Sequence, residues 1–310
     1  MKKILITGGA GFIGTNLISK LAPSGEYEIF VLDNESLGKR EHISEEVNFI
    51  NGDIADENIY ATLPTDLNCV VHLAALTRVI DSIKNPELAF QSNIIGTFNL
   101  FNFCKKNGIK TIVQASTGGA IIGEPKVNPI HEDLPAAPTS PYGATKLACE
   151  GIASSYNSSY DMNISSLRFS NVYGPKSFHK GSVVAHFFKL ILANKPITVY
   201  GDGEQTRDFI FIDDLINGIT SALNTTKPNV YQLATGKPFS VNQLISEVKA
   251  ICEKDNFLFD VIHEPARKGE VYKTWCDISR AKENLDFNPD TSVKSGLKKT
   301  WTWFKENYEQ

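Results

Sequence analysis

Short, nearly all-apolar runs alternate with longer stretches of helical spacing through the first half of the chain. Lys3–Thr7 (KILIT), Glu28–Leu32 (EIFVL), Val47–Asn51, Cys69–Leu73 and Thr111–Ala115 read as strands, and Ile164–Phe169 as a sixth. Phe12–Leu21 has the period of a helix, a long helical stretch covers about Glu87–Lys106, and another covers about Tyr142–Tyr156. Strands that lack polar alternation are buried on both faces. Strands that alternate with helices make βαβ crossovers and a parallel sheet.

Beyond about Phe169 the pattern loosens. Runs at Ile197–Tyr200 and Val230–Ala234 alternate with helical stretches near Val183–Ala193, Ile212–Leu223 and Ser240–Lys254, and an aromatic-rich helix closes at Trp301–Tyr308. There is neither an internal repeat nor a low-complexity linker, so the second half predicts a smaller, intimately packed lobe. The expected division is residues 1–169 with about 208–236 in one domain, and about 170–207 with 237–310 in the other.

A chain of 310 residues suits two lobes. A net charge of −4 gives no sequence-wide basic field for nucleic acid. Cys69, Cys104, Cys149, Cys252 and Cys276 are scattered and form no metal-ligand spacing, so they read as reduced thiols and no metal is expected. The opening MKKILITGG is too short for a signal sequence, and no stretch approaches a membrane span, so the expectation is a cytoplasmic protein.

Directly after the first strand comes TGGAGFIG, with Gly8, Gly11 and Gly14 in Gly-x-x-Gly-x-x-Gly spacing. Glycines at a strand-to-helix junction permit a sharp turn and let a pyrophosphate approach bare N–H groups at a helix N-terminus. The fold class is therefore α/β: a Rossmann-type doubly wound parallel sheet with a smaller C-terminal α/β substrate lobe. Asp33 ends the second strand, where a carboxylate accepts from an adenosine ribose and repels a 2′-phosphate. NAD is favoured over NADP. Asp53-Ile54 follows the third strand, placed either for the adenine amine or as a turn and helix cap.

Tyr142 and Lys146 in SPYGATK stand four apart, on one face of a helix. An adjacent ammonium favours the phenolate, and such a pair moves a hydroxyl proton while a nicotinamide moves a hydride.

With TGGAGFIG and SPYGATK, the chain shares HLAA at His72–Ala75, Asn93-Ile-Ile-Gly-Thr97, LRFSNVYGP at Leu167–Pro175, YGDGEQTRDF at Tyr200–Phe209 and RKGE at Arg267–Glu270. Over essentially its whole length it resembles the extended short-chain dehydrogenases/reductases of the NAD-dependent epimerase/dehydratase group, nearest the UDP-glucose/UDP-N-acetylglucosamine 4-epimerases. The resemblance implies NAD contacts at Gly8, Gly11, Phe12, Ile13, Gly14, Asp33, Asn34, Asp53, Ile54, Leu73, Ala74, Ala75 and Asn93, with Tyr142 and Lys146. It implies a hydroxyl at Thr117, or else Ser116, on the sugar. Counting back from Gly123 puts the usual hydroxyl position on Gly118, and Ile122 stands where relatives carry Tyr. A UDP-sugar substrate would meet Asn171, Tyr200, Arg207, Arg267 and Glu270, with Thr274 near the sugar C2.

A 4,6-dehydratase of this group carries an Asp-Glu pair after its hydroxyl residue, where this chain has Gly118-Gly119. The resemblance thus implies 4-epimerisation of a UDP-hexose. UDP-glucuronate decarboxylase and UDP-glucuronate 4-epimerase remain alternatives, as does, remotely, a non-catalytic NAD-binding scaffold. It also implies a homodimer joined through the Glu87–Lys106 and Tyr142–Tyr156 helices.

Overall fold

In the computed structural model, which describes residues 1–266 and 271–307, seven parallel strands make the central sheet. These are β1 (Lys2–Thr7), β2 (Tyr27–Asp33), β3 (Asn48–Asn51), β4 (Cys69–His72), β5 (Thr111–Thr117), β6 (Asn163–Phe169) and an edge strand at Val230–Leu233. From that edge the order runs β6, β5, β4, β1, β2, β3, so the winding reverses at β1 and a crevice opens beyond its C-terminal end.

Successive residues of β1 feed opposite cores. Ile4 and Ile6 pack with Val31, Val71 and Val113 under the helices Phe12–Leu21 and Ile212–Leu223. Leu5 packs with Leu32, Val70 and Ile112 under the helices Gly96–Lys106 and Pro141–Tyr160. Each such side chain, sealed from water, contributes about 1.5–3 kcal/mol. This two-sided burial is why the strands read as continuous apolar runs.

The helix expected over Glu87–Lys106 is present as one helical run, made of Pro86–Phe90, a π-helical turn at Gln91–Ile95 and Gly96–Lys106, and a short helix, Val79–Lys84, precedes it. Pro86 separates the two. It has no N–H to donate and forces Asn85 out of the helical region, and the Asn85 side chain then caps the next helix by accepting from Leu88 N. Pro141–Tyr160 outruns its expected span at both ends and stops at Asp161, which adopts a left-handed conformation (φ 53°). The last helix starts earlier than expected, at Val293, and runs to Asn307; Tyr308 lies outside the described residues.

Three two-stranded sheets stand apart from the central one: Ile197–Tyr200 pairs with Val261–Glu264, Thr206–Arg207 with Phe239–Ser240, and Asn171–Tyr173 with Phe209–Phe211. Trp301 and Phe304 stack on Phe188, within the same buried cluster that contains Ile4 and Ile6. One buried core therefore runs from the central sheet to the C-terminal helix. Among the described residues no helix is long and apolar enough to cross a membrane, no His/Cys/Asp/Glu group has metal-site geometry, and all five cysteines are buried and free.

Candidate active site

The glycines of the first turn are required by close approach. Gly8 has φ +69°, and an added Cβ would lie 2.6 Å from Ala74 N, in the turn after β4. At Gly14 an added Cβ would stand 2.5 Å from Gly9 Cα, so the helix could not seat on the loop. Gly11 is the N-cap of Phe12–Leu21, and no side chain caps it. The result is a glycine cradle with free helix-terminal N–H groups, which fits a pyrophosphate.

Asp33 holds this loop from the tip of β2. It accepts from Ala10 N at 2.9 Å and from Glu35 N at 2.8 Å, while burial pushes its carboxyl up. Its remaining lone pairs fit a ribose diol. Gly38, which sequence reasoning missed, backs onto the same loop: a Cβ there would lie 2.2 Å from Ala10 O.

Several other expected cofactor residues are engaged within the protein. Asn34 donates to Asp53 Oδ2 at 2.9 Å, and Asp53 also accepts from Ala55 N. Ile54 is buried against Gly96. Asn93, also buried, accepts from Leu76 N at 2.7 Å and donates to Leu76 O at 3.1 Å and to Thr145 Oγ1 at 2.9 Å. All its amide atoms are thus occupied, and it clamps the Ala75–Leu76 turn to the Pro141–Tyr160 helix.

A buried chain continues from Asn93. Thr97 Oγ1 donates to Asn93 O at 2.5 Å, so its oxygen accepts from His72 Nε2 at 2.9 Å. That leaves His72 Nδ1 to accept from Thr7 Oγ1 at 2.7 Å, which fixes the tautomer. Burial, assisted by the Lys146 ammonium, pushes the His72 pKa down to about 3, so the ring is neutral.

The Pro141–Tyr160 helix begins at Ser140, which accepts from Gly143 N at 3.2 Å; Pro141 follows at its first position. Ser82 Oγ, also missed from sequence, accepts from Tyr142 N at 3.1 Å. Thr117, at the end of β5, hydrogen-bonds the Tyr142 phenol. Burial pushes that phenol up to about 12, and the Thr117 bond opposes the shift. Lys146 donates to Ala115 O at 3.0 Å, and burial lowers its pKa. The ammonium expected to lower the phenol is thus turned onto a backbone carbonyl.

Ser116 faces the other way. It donates to Glu150 Oε1 at 2.6 Å, and Glu150 receives both forks of Arg168 at 2.9 and 2.8 Å. Strand alternation separates the two hydroxyls: Thr117 meets Tyr142, and Ser116 joins a buried ion pair. A side chain on Gly118 would run into Gln232 Oε1, 2.6 Å from an added Cβ. Ile122, where relatives carry Tyr, is buried in a small apolar cluster with Ile130 and Ile278.

Across the crevice a cavity of about 270 Å³ is lined by Asn171, Gly181, Ser182, Gln205, Arg207 and Phe209, among others. Ser182 Oγ is buried without a hydrogen-bond partner among the described residues, as is Thr206 Oγ1. A buried orphan hydroxyl lining a cavity, as Ser182 does, is what a polar ligand would satisfy. Thr274 N donates to Thr206 O at 3.3 Å, one residue from Arg207. Tyr200 ends a strand beside Glu264 and is not among the cavity-lining residues. Arg267 and Glu270 lie outside the described residues.

The NAD-dependent epimerase/dehydratase family model matches residues 4–234. The chain belongs to that family. It is accordingly an NAD-dependent enzyme, and the glycine cradle with Asp33 beside it fits the cofactor. The UDP-glucose 4-epimerase of Thermotoga maritima, solved with UDP-glucose, superposes with a TM-score of 0.94 at 36% identity, covering 99% of this chain and 100% of that one. The UDP-N-acetylglucosamine 4-epimerase of Methanobrevibacter ruminantium M1, in complex with UDP-N-acetylmuramic acid, gives a TM-score of 0.92 at 31% identity over 99% of each chain. A UDP-glucuronate 4-epimerase of Thermodesulfobacterium geofontis is 36% identical over 98% of this chain and 97% of its own length.

Proposed function

We propose that this enzyme epimerises a UDP-hexose at C4 through a transient 4-keto sugar, and that it accepts N-acetylated hexoses. What supports the reading is the cluster of Thr117, Tyr142 and Lys146 where β5 ends against the start of the Pro141–Tyr160 helix, with no added acid–base pair at Gly118-Gly119. Gly118-Gly119 offers no group to eliminate the 6-hydroxyl. Tyr142 is the proton carrier at the 4-hydroxyl. Thr117 orients that hydroxyl and favours the phenolate. Lys146, one helical turn on, supplies positive charge on the same face. When bound, oxidised NAD supplies the hydride acceptor and a positive nicotinamide that further favours the phenolate.

In this reading residues 1–169 with about 208–236 hold NAD, and about 170–207 with 237–310 hold the UDP-sugar. Asn171 and Arg207 take the diphosphate, joined by Arg267, while Glu270 takes the uridine ribose. Thr274 presents a short side chain beside Arg207, which leaves room for an acetamido group. A bulky residue there would exclude it.

A panel of UDP-glucose, UDP-N-acetylglucosamine and UDP-glucuronate tests the assignment. Epimerisation of the N-acetyl sugar supports it. Turnover of UDP-glucuronate alone would move the reading to the glucuronate 4-epimerase, the activity named for the Thermodesulfobacterium relative; carbon dioxide release would mean decarboxylation. Tyr142→Phe should keep bound NAD and lose turnover by about 10²–10⁴-fold. Thr274→Tyr should lose the N-acetyl substrate selectively, and an equal loss on both hexoses sinks the gatekeeper role.

A further inference from the structure

Lys180 sits in the short segment between the strand Asn171–Tyr173 and the helix Val183–Leu192. Its Nζ donates to Val172 O at 3.0 Å and lies 4.9 Å from the centroid of the Phe12 ring. Phe12 opens the helix behind the glycine cradle, and Val172, Gly181 and Ser182 line the cavity. The ammonium therefore stands where the cofactor's phosphate loop meets the nucleotide-sugar cavity.

One carbonyl and one ring face satisfy only part of a three-donor cation. Among the described residues no carboxylate pairs with it, and burial alone pulls its pKa down to about 8. The surrounding charges are mostly cations with backbone or hydroxyl partners. Lys189 donates to Phe178 O at 3.0 Å and Lys180 O at 3.4 Å, Arg78 to His179 O at 3.1 Å, and Lys176 to Ser19 Oγ at 2.5 Å. Asp81 lies 3.8 Å from Arg78, while His179 stacks on His42. A half-buried cation with no carboxylate beside it is costly unless an anion joins it.

We propose that Lys180 is a diphosphate ligand, which takes a phosphate oxygen of the bound nucleotide sugar as its missing partner. The substrate's diphosphate is favoured over the cofactor's because the residues that follow Lys180 line the cavity, and Ser182 Oγ beside them is a buried orphan. The inference rests on that cavity holding a nucleotide diphosphate. It adds a residue to the site and predicts a pH response of substrate binding separate from the titration of Tyr142.

Calorimetric titration of the NAD-loaded enzyme with UDP and with uridine tests it, in the wild type, Lys180→Met and Lys180→Arg. Lys180→Met should weaken UDP by about tenfold to a hundredfold and leave uridine within about twofold; Lys180→Arg should restore most of the loss. In the wild type the UDP-to-uridine affinity ratio should fall about tenfold or more from about pH 7 to about pH 9.5, as the free ammonium deprotonates. If UDP binding holds while Lys180→Met sheds NAD on gel filtration, the diphosphate ligated is the cofactor's. If UDP and uridine weaken equally, or neither UDP nor NAD is affected, Lys180 is structural and the proposal fails. Should Lys180→Met not fold, a wild-type ratio flat across that pH range overturns it alone. Failure of the parent reading looks different, since the wild type would then not bind UDP at all.

Discussion

His72 is sealed between Thr7 and Thr97, so the folded protein refuses a proton that the unfolded chain takes near its ordinary pKa. The sign follows: folded-state affinity for the proton is depressed to about 3, so this contribution is complete above about pH 6.5 and is lost as pH falls below it. Between about pH 7.5 and about pH 5.5 the loss integrates to about 1.4 kcal/mol. Urea unfolding at the two pH values should show wild type losing that much more than His72→Gln; equal losses would mean His72 is not buried neutral. Asp33 argues a second case. Arg40 donates to Ile43 O at 2.7 Å and lies over the Phe49 ring. The Asp33 carboxylate repels a 2′-phosphate, so NAD should bind about a hundredfold tighter or more, and Asp33→Ala should narrow the gap. Equal affinities in the wild type would contradict this. The placing of Gly8 and Asp33 in one loop, and of Tyr142 and Lys146 on one helix, was legible because it follows from spacing. The choice between Thr117 and Ser116 was not, because it depends on the phase of a strand at its last residue. Asn93 announced itself by motif, yet its clamp on Leu76 and Thr145 needs three distant segments in space.

Among the elements, runs of uniform period were read closely: Ile212–Leu223 and Ile197–Tyr200 stand where the pattern put them. The helix over Glu87–Lys106 was read as well, but the π turn at Gln91–Ile95 inside it and the short helix Val79–Lys84 before it leave no mark that periodicity registers. The Pro141–Tyr160 helix offers a test at this scale. It approaches the Gly118–Ile122 turn so closely that a Cβ on Gly143 would lie 2.1 Å from Ala120 O. Gly143→Ala must push the helix start outward, away from Thr117. Overpacking of this kind costs about 1–3 kcal/mol, and the Tyr142–Thr117 bond should lengthen with it. The variant should retain NAD, melt lower and lose turnover by tenfold or more, the order of one charge-assisted hydrogen bond. Wild-type kcat in the variant would show that the helix start tolerates displacement.

At the scale of the whole molecule the remaining question is what covers the outer face of the Val79–Lys106 region. Ile80 is 63% exposed and Ile83 59%, with Leu88, Phe90, Ile95 and Phe98 also exposed. These side chains belong to neither core beneath the sheet, so the sheet does not cover them. A contiguous apolar face on successive helical segments marks an interface. Beside it, the outward side of Pro141–Tyr160 is nearly bare: Gly151 has open space where a Cβ would go, Ser154, Ser155, Ser158 and Ser159 are exposed, and Tyr160 stands at the end. Small residues let a second helix come close, while the large residues next to them supply the apolar area. We therefore propose a homodimer in which the two regions meet their copies across a twofold axis as a four-helix seam, the first contributing most of the buried apolar surface. A stable seam should bury roughly 1,200–2,000 Å² in total. Light scattering at micromolar concentration should give twice the chain mass for the wild type. Ile83→Glu, which sets two like charges near the axis, should shift it to monomer while NAD stays bound. A monomeric wild type rejects the dimer. A variant that stays dimeric moves the interface elsewhere.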